Sequence, residues 1–216
     1  MVDDKFTHIA VILDRSGSMA TLKTDMEGGF NTFIEEQKKV AGRCTLSLYQ
    51  FDDVYEVVYK GKEVKDVPVL DLQPRNMTAL LDAVGKTIND VGTELAALKE
   101  EERPGKVILV IITDGQENAS HEFKRERISE MIKHQEDKYT WQIVFLGANF
   151  DAYTEGMGLG FTGSKCMTYA ANAVGTRCCY SSVSAKITDY RLGNAKGVDF
   201  DVNDRQAQQD AGAVGQ

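Results

Sequence analysis

Apolar positions along the chain fall into two rhythms. Short unbroken runs, Ile9 to Leu13, Val107 to Ile112 and Ile143 to Leu146, read as strands covered on both faces, the habit of a parallel sheet. Between them apolar residues recur at helical spacing. Phe30, Phe33 and Ile34 share one face, with Glu35 to Lys39 continuing toward solvent, and Leu81, Val84, Ile88, Val91, Leu95 and Leu98 form a longer stripe. Phe123, Ile128, Met131 and Ile132 predict a third, less regular helix. Tyr180, Val183, Ile187 and Tyr190 predict a late one, with Thr176 as its N-cap. Cys44 to Phe51 and Val54 to Lys60 are β-rich and separated only by Asp52-Asp53, which predicts an antiparallel hairpin with its second strand on an edge. The expected fold class is α/β: a doubly wound, Rossmann-like, mostly parallel sheet with one antiparallel edge strand and helices on both faces.

After Leu192 the pattern stops. Gly193 to Gln216 is rich in Gly, Ala, Asp, Asn and Gln, with Phe200 its only aromatic residue, so the expected organisation is one domain over 1–192 and an acidic, disordered tail over 193–216. Composition adds limits. Of 216 residues, 42% are hydrophobic and 27% charged, enough for a sizeable core and against global disorder. No apolar run approaches the roughly 18 to 20 residues that span a bilayer. The acidic start, Met1 to Lys5, lacks the basic and apolar regions of a signal peptide, so a cytoplasmic location is expected.

Charge narrows the partners. With 25 basic and 33 acidic side chains the net charge is −8, which argues against a phosphate-binding face and hence against nucleic acid. The densest basic stretch, Lys124-Arg125-Glu126-Arg127, is interrupted and flanked by acid and reads as a solvated helix face. Cys44, Cys166, Cys178 and Cys179 have neither disulfide-framework nor metal spacing and read as free thiols.

The chemistry gathers at strand ends, where open parallel sheets place their sites. The first strand runs into Asp14-Arg15-Ser16-Gly17-Ser18 and the Val107 strand into Thr113-Asp114-Gly115, while Arg75-Asn76-Met77-Thr78 opens the expected longest helix. Asp14, Ser16, Ser18, Thr78 and Asp114 can therefore face one point. Two carboxylates and three hydroxyls suit a hard cation such as Mg²⁺, with Mn²⁺ or Ca²⁺ as alternatives, and offer nothing soft for zinc or copper. The alternation Asp-x-Ser-x-Ser aims every second side chain inward and leaves Arg15 pointing outward.

These residues, in this order and strand context, resemble the metal-ion-dependent adhesion site of the von Willebrand factor A domain family. The resemblance spans roughly residues 5 to 192. It is nearest the compact bacterial and phage stand-alone type, through Thr78 to Gly85 and Phe145-Leu-Gly-Ala-Asn149. It implies that Ser16, Ser18 and Thr78 hold the metal directly and that Asp14 and Asp114 act largely through water. It also implies that the remaining position takes a partner protein's Asp or Glu. Arg15, Met19, Gln116, Glu117, Asn118 and His121 are the expected partner-binding rim. Related stand-alone domains work beside ATPases of the AAA+ class, so such an ATPase or an assembly component is an expected partner, and no membrane or nucleic acid is.

Other readings compete with this one. Asp14 at the end of a first strand is also where haloacid-dehalogenase-type phosphatases resemble this chain. Their nucleophile is followed by a second Asp, whereas Ser16 stands here, so no acid protonates a leaving group. Ser16 or Ser18 as a hydrolase nucleophile lacks a Gly-x-Ser-x-Gly elbow, and of His8, His121 and His134 only His121 lies near the site in sequence. The expected role is binding and not catalysis. Gly156-Met-Gly158-Leu-Gly160 reads as a helix-ending turn, and Asp199-Phe-Asp201-Val-Asn203 as an incomplete calcium loop. Asp199, Asp201 and Asp204 also offer carboxylates that could dock the tail on its own or a neighbouring molecule's metal.

Overall fold

Ile9 to Leu13 forms the middle of the sheet around which the whole chain is wound. In the computed structural model, which describes residues 2–148 and 151–213, six strands lie in the order β3-β2-β1-β4-β5-β6. They are β1 (Asp3–Asp14), β2 (Arg43–Phe51), β3 (Tyr55–Glu63), β4 (Pro104–Thr113), β5 (Gln142–Ala148) and β6 (Cys166–Tyr169). All neighbours pair in parallel except β2 and β3, the hairpin at the edge. Among the described residues the α-helices are α1 (Lys23–Lys39), α2 (Leu80–Ala97), α3 (Arg125–Tyr139), α4 (Ala152–Gly158), α5 (Ala173–Leu192) and α6 (Val202–Asp210). The predicted doubly wound α/β architecture is therefore present.

Alternation along each strand divides the core in two. Ile9, Val11 and Leu13 pack with Phe30 and Phe33 of α1 and with Tyr180, Val183 and Ile187 of α5. Ala10 and Ile12 face Leu80, Val84 and Ile88 of α2 and Ile128 and Ile132 of α3. Because both faces are covered, the central strands carry apolar residues on both, which is why Ile9 to Leu13 and Val107 to Ile112 run unbroken, although polar His8, Thr45 and Ser47 are buried in β1 and β2 as well. Among the described residues no helix is long and apolar enough to cross a membrane. All four cysteines are free thiols, and Cys44, Cys166 and Cys179 are buried.

Several expectations need correction. α5 with 20 residues, and not α2 with 18, is the longest helix. Its N-cap is Asn172, whose side chain accepts the backbone N–H of Val174 and Gly175, while Thr176 lies buried one turn inside. Leu98 falls just beyond α2. The tail differs most. Val198 and Phe200 are buried in the α1/α5 core, and Asp201 caps α6 in a reciprocal capping box with Asp204. Ser164 O accepts from Phe200 N at 2.8 Å, and Gln208 Oε1 accepts from Ala170 N at 3.1 Å, so residues 198–208 run beside β6. The described part of the tail, through residue 213, thus has a core contact that its composition hid. Asn149 of the family-like segment lies outside the described residues.

Candidate functional site

The site stands where β1 and β4, neighbours at the centre of the sheet, end side by side. Their register aligns Leu13 with Ile112, which brings Asp14 level with Thr113 and leaves Asp114 one residue further out. Past Asp14 the chain turns at once into a short 3-10 turn, Gly17–Thr21, and Asp14 Oδ1 accepts the Ser16 backbone N–H at 2.6 Å. That local bond folds Ser16 and Ser18 back over the strand end. Ser18 Oγ donates to Asp114 Oδ1 at 2.6 Å and lies 3.2 Å from Ser16 Oγ. Thr113 Oγ1 donates to Asp14 Oδ2 at 2.5 Å.

Thr78 closes the group from the segment before α2. A Cβ built on Gly115 would stand 3.2 Å from Thr78 Oγ1 and 3.8 Å from Ser18 Oγ, so glycine there keeps the space between the two hydroxyls open. The five predicted oxygen donors are thus brought together. Thr78 is held by its own neighbours: its N–H donates to Asn118 Oδ1 at 3.0 Å, and Asn118 N donates to Thr78 O at 3.1 Å.

Electrostatics fit a positive guest. Burial pushes the Asp14 carboxyl up to about 6 against the hydrogen bonds from Thr113 and Ser16, and the charge of Asp114 adds to the rise. Burial also raises Asp114, with the Ser18 hydroxyl opposing it. Asp114 Oδ2 is buried with no hydrogen-bond partner among the described residues. Such an orphaned carboxylate oxygen, in a group of hard oxygen donors, fits a divalent cation and has no structural reason of its own.

The rim expectations divide. Gln116, Asn118 and His121 are exposed. Met19 is fully buried, because the 3-10 turn rotates it into the α1/α5 core, so it is not a rim residue. Arg15 does turn away from the cation point, yet it is only 4% exposed. Its Nε donates to Asp52 Oδ2 at 3.1 Å, and Glu56 takes another of its N–H groups. Glu117 is half-buried and braces the loop: Oε2 accepts Leu81 N at 2.9 Å, and Oε1 accepts Ala119 N and Ser120 N. The tail carboxylates are engaged elsewhere. Asp199 accepts from Ser164 Oγ at 2.7 Å, and Lys186 lies 2.6 Å from Asp201 and 3.0 Å from Asp204.

Two residues outside the sequence expectations organise the site. Thr113 ties the strand ends together. Asp52, fully buried in the β2–β3 turn, accepts Arg15 Nε and, at 2.6 Å, Arg75 Nε, while its backbone O accepts Ala79 N at 2.9 Å. Against burial, which raises it, the Arg75 hydrogen bond and the neighbouring cations hold its carboxyl below the ordinary range. One carboxylate thus anchors the Asp14–Ser18 turn and the Arg75–Ala79 segment to the hairpin. Its sequence signal is the short Asp52-Asp53 turn, which predicts the hairpin but not a buried carboxylate.

No family model matches the sequence, and no curated protein matches it. Solved structures do match in fold. A von Willebrand factor type A structure from Catenulispora acidiphila superposes with a TM-score of 0.59 at 13% identity, over 84% of this chain and 42% of that one. Proximal thread matrix protein 1 from the mussel byssus, in a structure with a zinc-occupied MIDAS motif, gives 0.57 at 16% identity over 87% of this chain and 45% of that one. The ArnB paralog VWA2 from Sulfolobus acidocaldarius gives 0.52 at 18% identity, over 84% of this chain and 44% of that one. The chain is therefore built on the fold of the von Willebrand factor type A domain, and it spans less than half the length of these neighbours.

Proposed function

We propose that this chain is a divalent-cation-dependent protein-binding module. Ser16, Ser18 and Thr78 would hold the cation directly, with Asp14 and Asp114 completing its surroundings through water, and the expected ion is Mg²⁺. When bound, the ion would supply a positive, electrophilic point that accepts an Asp or Glu carboxylate of a partner protein. The observation that supports this reading is the convergence of the five donors around the unpartnered Oδ2 of Asp114. A neighbour in fold whose structure has a zinc-occupied MIDAS motif supports the reading that a divalent metal binds here.

The chain's own residues prepare that point. Neutral hydroxyls in the innermost positions would leave the ion more of its charge than carboxylates would. Thr113 and the Ser16 N–H orient Asp14, and Asp52 fixes the two segments that bring Ser16, Ser18 and Thr78 together. A phosphatase in which Asp14 is the nucleophile fits less well. Asp14 has no exposed surface, and both of its oxygens already accept hydrogen bonds.

Titration calorimetry with Mg²⁺ tests the reading on the wild type and on Asp14→Ala and Ser16→Ala. Binding by the wild type alone is the expected result, and equal heats from all three would sink it.

A further inference from the structure

Exposed apolar side chains scattered singly on a surface need no explanation. Met77 differs because its backbone is fixed on both sides, immediately beside Thr78. Preceding it, Asn76 has φ 60°, a left-handed conformation that is uncommon for a residue other than glycine. Such a conformation persists where the surroundings over-determine it. Here they do: Asn76 O accepts Gly17 N at 3.1 Å, and Asn76 Nδ2 donates to Asp53 Oδ1 at 2.9 Å. Following it, Thr78 is doubly bonded to Asn118. Met77 is 55% exposed on this rigid step.

The same hydrogen bond from Asn76 to Asp53 joins the step to the β2–β3 turn, where Val54 is 51% exposed. The site is thus bordered by Met77, one residue from Thr78, on a step tied to the turn that carries Val54. The segment that follows Asp114 borders it with polar Gln116, Asn118 and His121. A partner reduced to a lone carboxylate would have no use for this asymmetry. The geometry points to a two-part recognition surface, in which Met77, fixed beside Thr78, receives an apolar side chain adjoining the partner's acidic residue. This rests on the cation-dependent binding proposed above and specifies its partner: a protein segment with an Asp or Glu next to an apolar residue. Methionine suits the task, since its unbranched thioether adapts to apolar groups of different shape.

The test is selection from a random peptide library displayed on phage, on immobilised wild type and Met77→Ser in Mg²⁺, with elution by EDTA. Wild type should return sequences enriched in Asp or Glu adjoining an apolar residue. Met77→Ser, with an unchanged melting temperature, should keep the acidic enrichment and lose the apolar one. A synthetic peptide from the wild-type selection should bind the variant about tenfold more weakly, as loss of a half-buried apolar contact implies. Acidic sequences without apolar neighbours, or the same apolar enrichment on the variant, would overturn this inference alone. If EDTA releases no acidic sequences from the wild type, the cation-binding reading falls and this one with it.

Discussion

Thr113 donates its hydroxyl hydrogen to Oδ2 of Asp14 across the ends of the two central strands, between residues 99 positions apart. Both groups are buried, so neither has water as a substitute. Thr113→Val preserves shape and removes the donor. We expect it to cost about 2 kcal/mol in urea unfolding, the usual consequence of stranding a buried acceptor. Thr113→Ser should restore most of that, and a Val variant as stable as wild type would contradict the assignment.

Cation binding should stabilise the fold, because the ion has a site only in the folded chain. At a concentration 100 times the dissociation constant the gain is about 2.7 kcal/mol. The melting temperature should rise with Mg²⁺ and return to its starting value with EDTA. Asp114→Asn relieves a buried, incompletely partnered charge, so the metal-free variant should melt no lower than wild type while its response to Mg²⁺ disappears. A variant that loses stability but keeps the response would place Asp114 in a purely structural role.

Asp52 predicts the reverse pattern. It is buried against two guanidinium groups, and removing its charge leaves Arg15 buried without that partner. Asp52→Asn should cost about 3 kcal/mol. It should also weaken Mg²⁺ binding under conditions where the variant remains folded, since the two segments that carry the proposed ligands lose their shared anchor. Calorimetry at low temperature, with circular dichroism to confirm folding, separates the two effects.

His8 gives a pH signature. It is 4% exposed in β1, its ring nitrogens lie 2.9 Å from Thr45 Oγ1 and 3.4 Å from Ser47 Oγ, and burial pushes its pKa down to about 4. Between the ordinary value of 6.5 and that figure the unfolded chain holds a proton that the folded chain does not. Stability from this residue is therefore complete above the upper limit and is lost as pH falls, by on the order of 3 kcal/mol at pH 4. Without metal, Asp14 acts in the opposite sense, because its carboxyl is raised on folding. Subtracting the urea-unfolding profile of His8→Gln from that of the wild type isolates the histidine. A difference that does not change with pH would contradict the prediction.

What could be read beforehand follows from how far each interaction reaches along the chain. The parallel strands β1, β4 and β5 declared themselves because burial on both faces leaves long apolar runs, and four of the candidate oxygen donors, Asp14, Ser16, Ser18 and Asp114, because they stand at or just beyond strand ends. β6 did not, since Cys166–Tyr169 is only four residues long and mixes polar with apolar. Thr113, Asp52 and Arg15 were missed as site organisers because each acts through a partner distant in sequence. Met19 was misplaced because a 3-10 turn and an extended loop present opposite faces. The tail was misread because its attachment depends on Val198, Phe200 and the side chain of Gln208, too few apolar positions to make a periodic pattern.

Phe200→Ala should destabilise the domain by about 3 kcal/mol, as truncation of a buried aromatic does. Unfolding in urea, with no change in Mg²⁺ affinity, is the expected result. An unchanged midpoint would mean that residues 198–208 do not belong to the core.

The course of that segment along β6 has a consequence for association between molecules. The backbone groups that bracket β6, Ser164 O and Ala170 N, are already satisfied from within the chain. At the opposite margin β3 is interrupted by register shifts and bears Lys60 and Lys62, features that discourage strand-to-strand pairing. Deleting residues 193–216 would therefore uncover a sheet margin as well as weaken the core, and the shortened protein should form aggregates where the full chain stays dispersed.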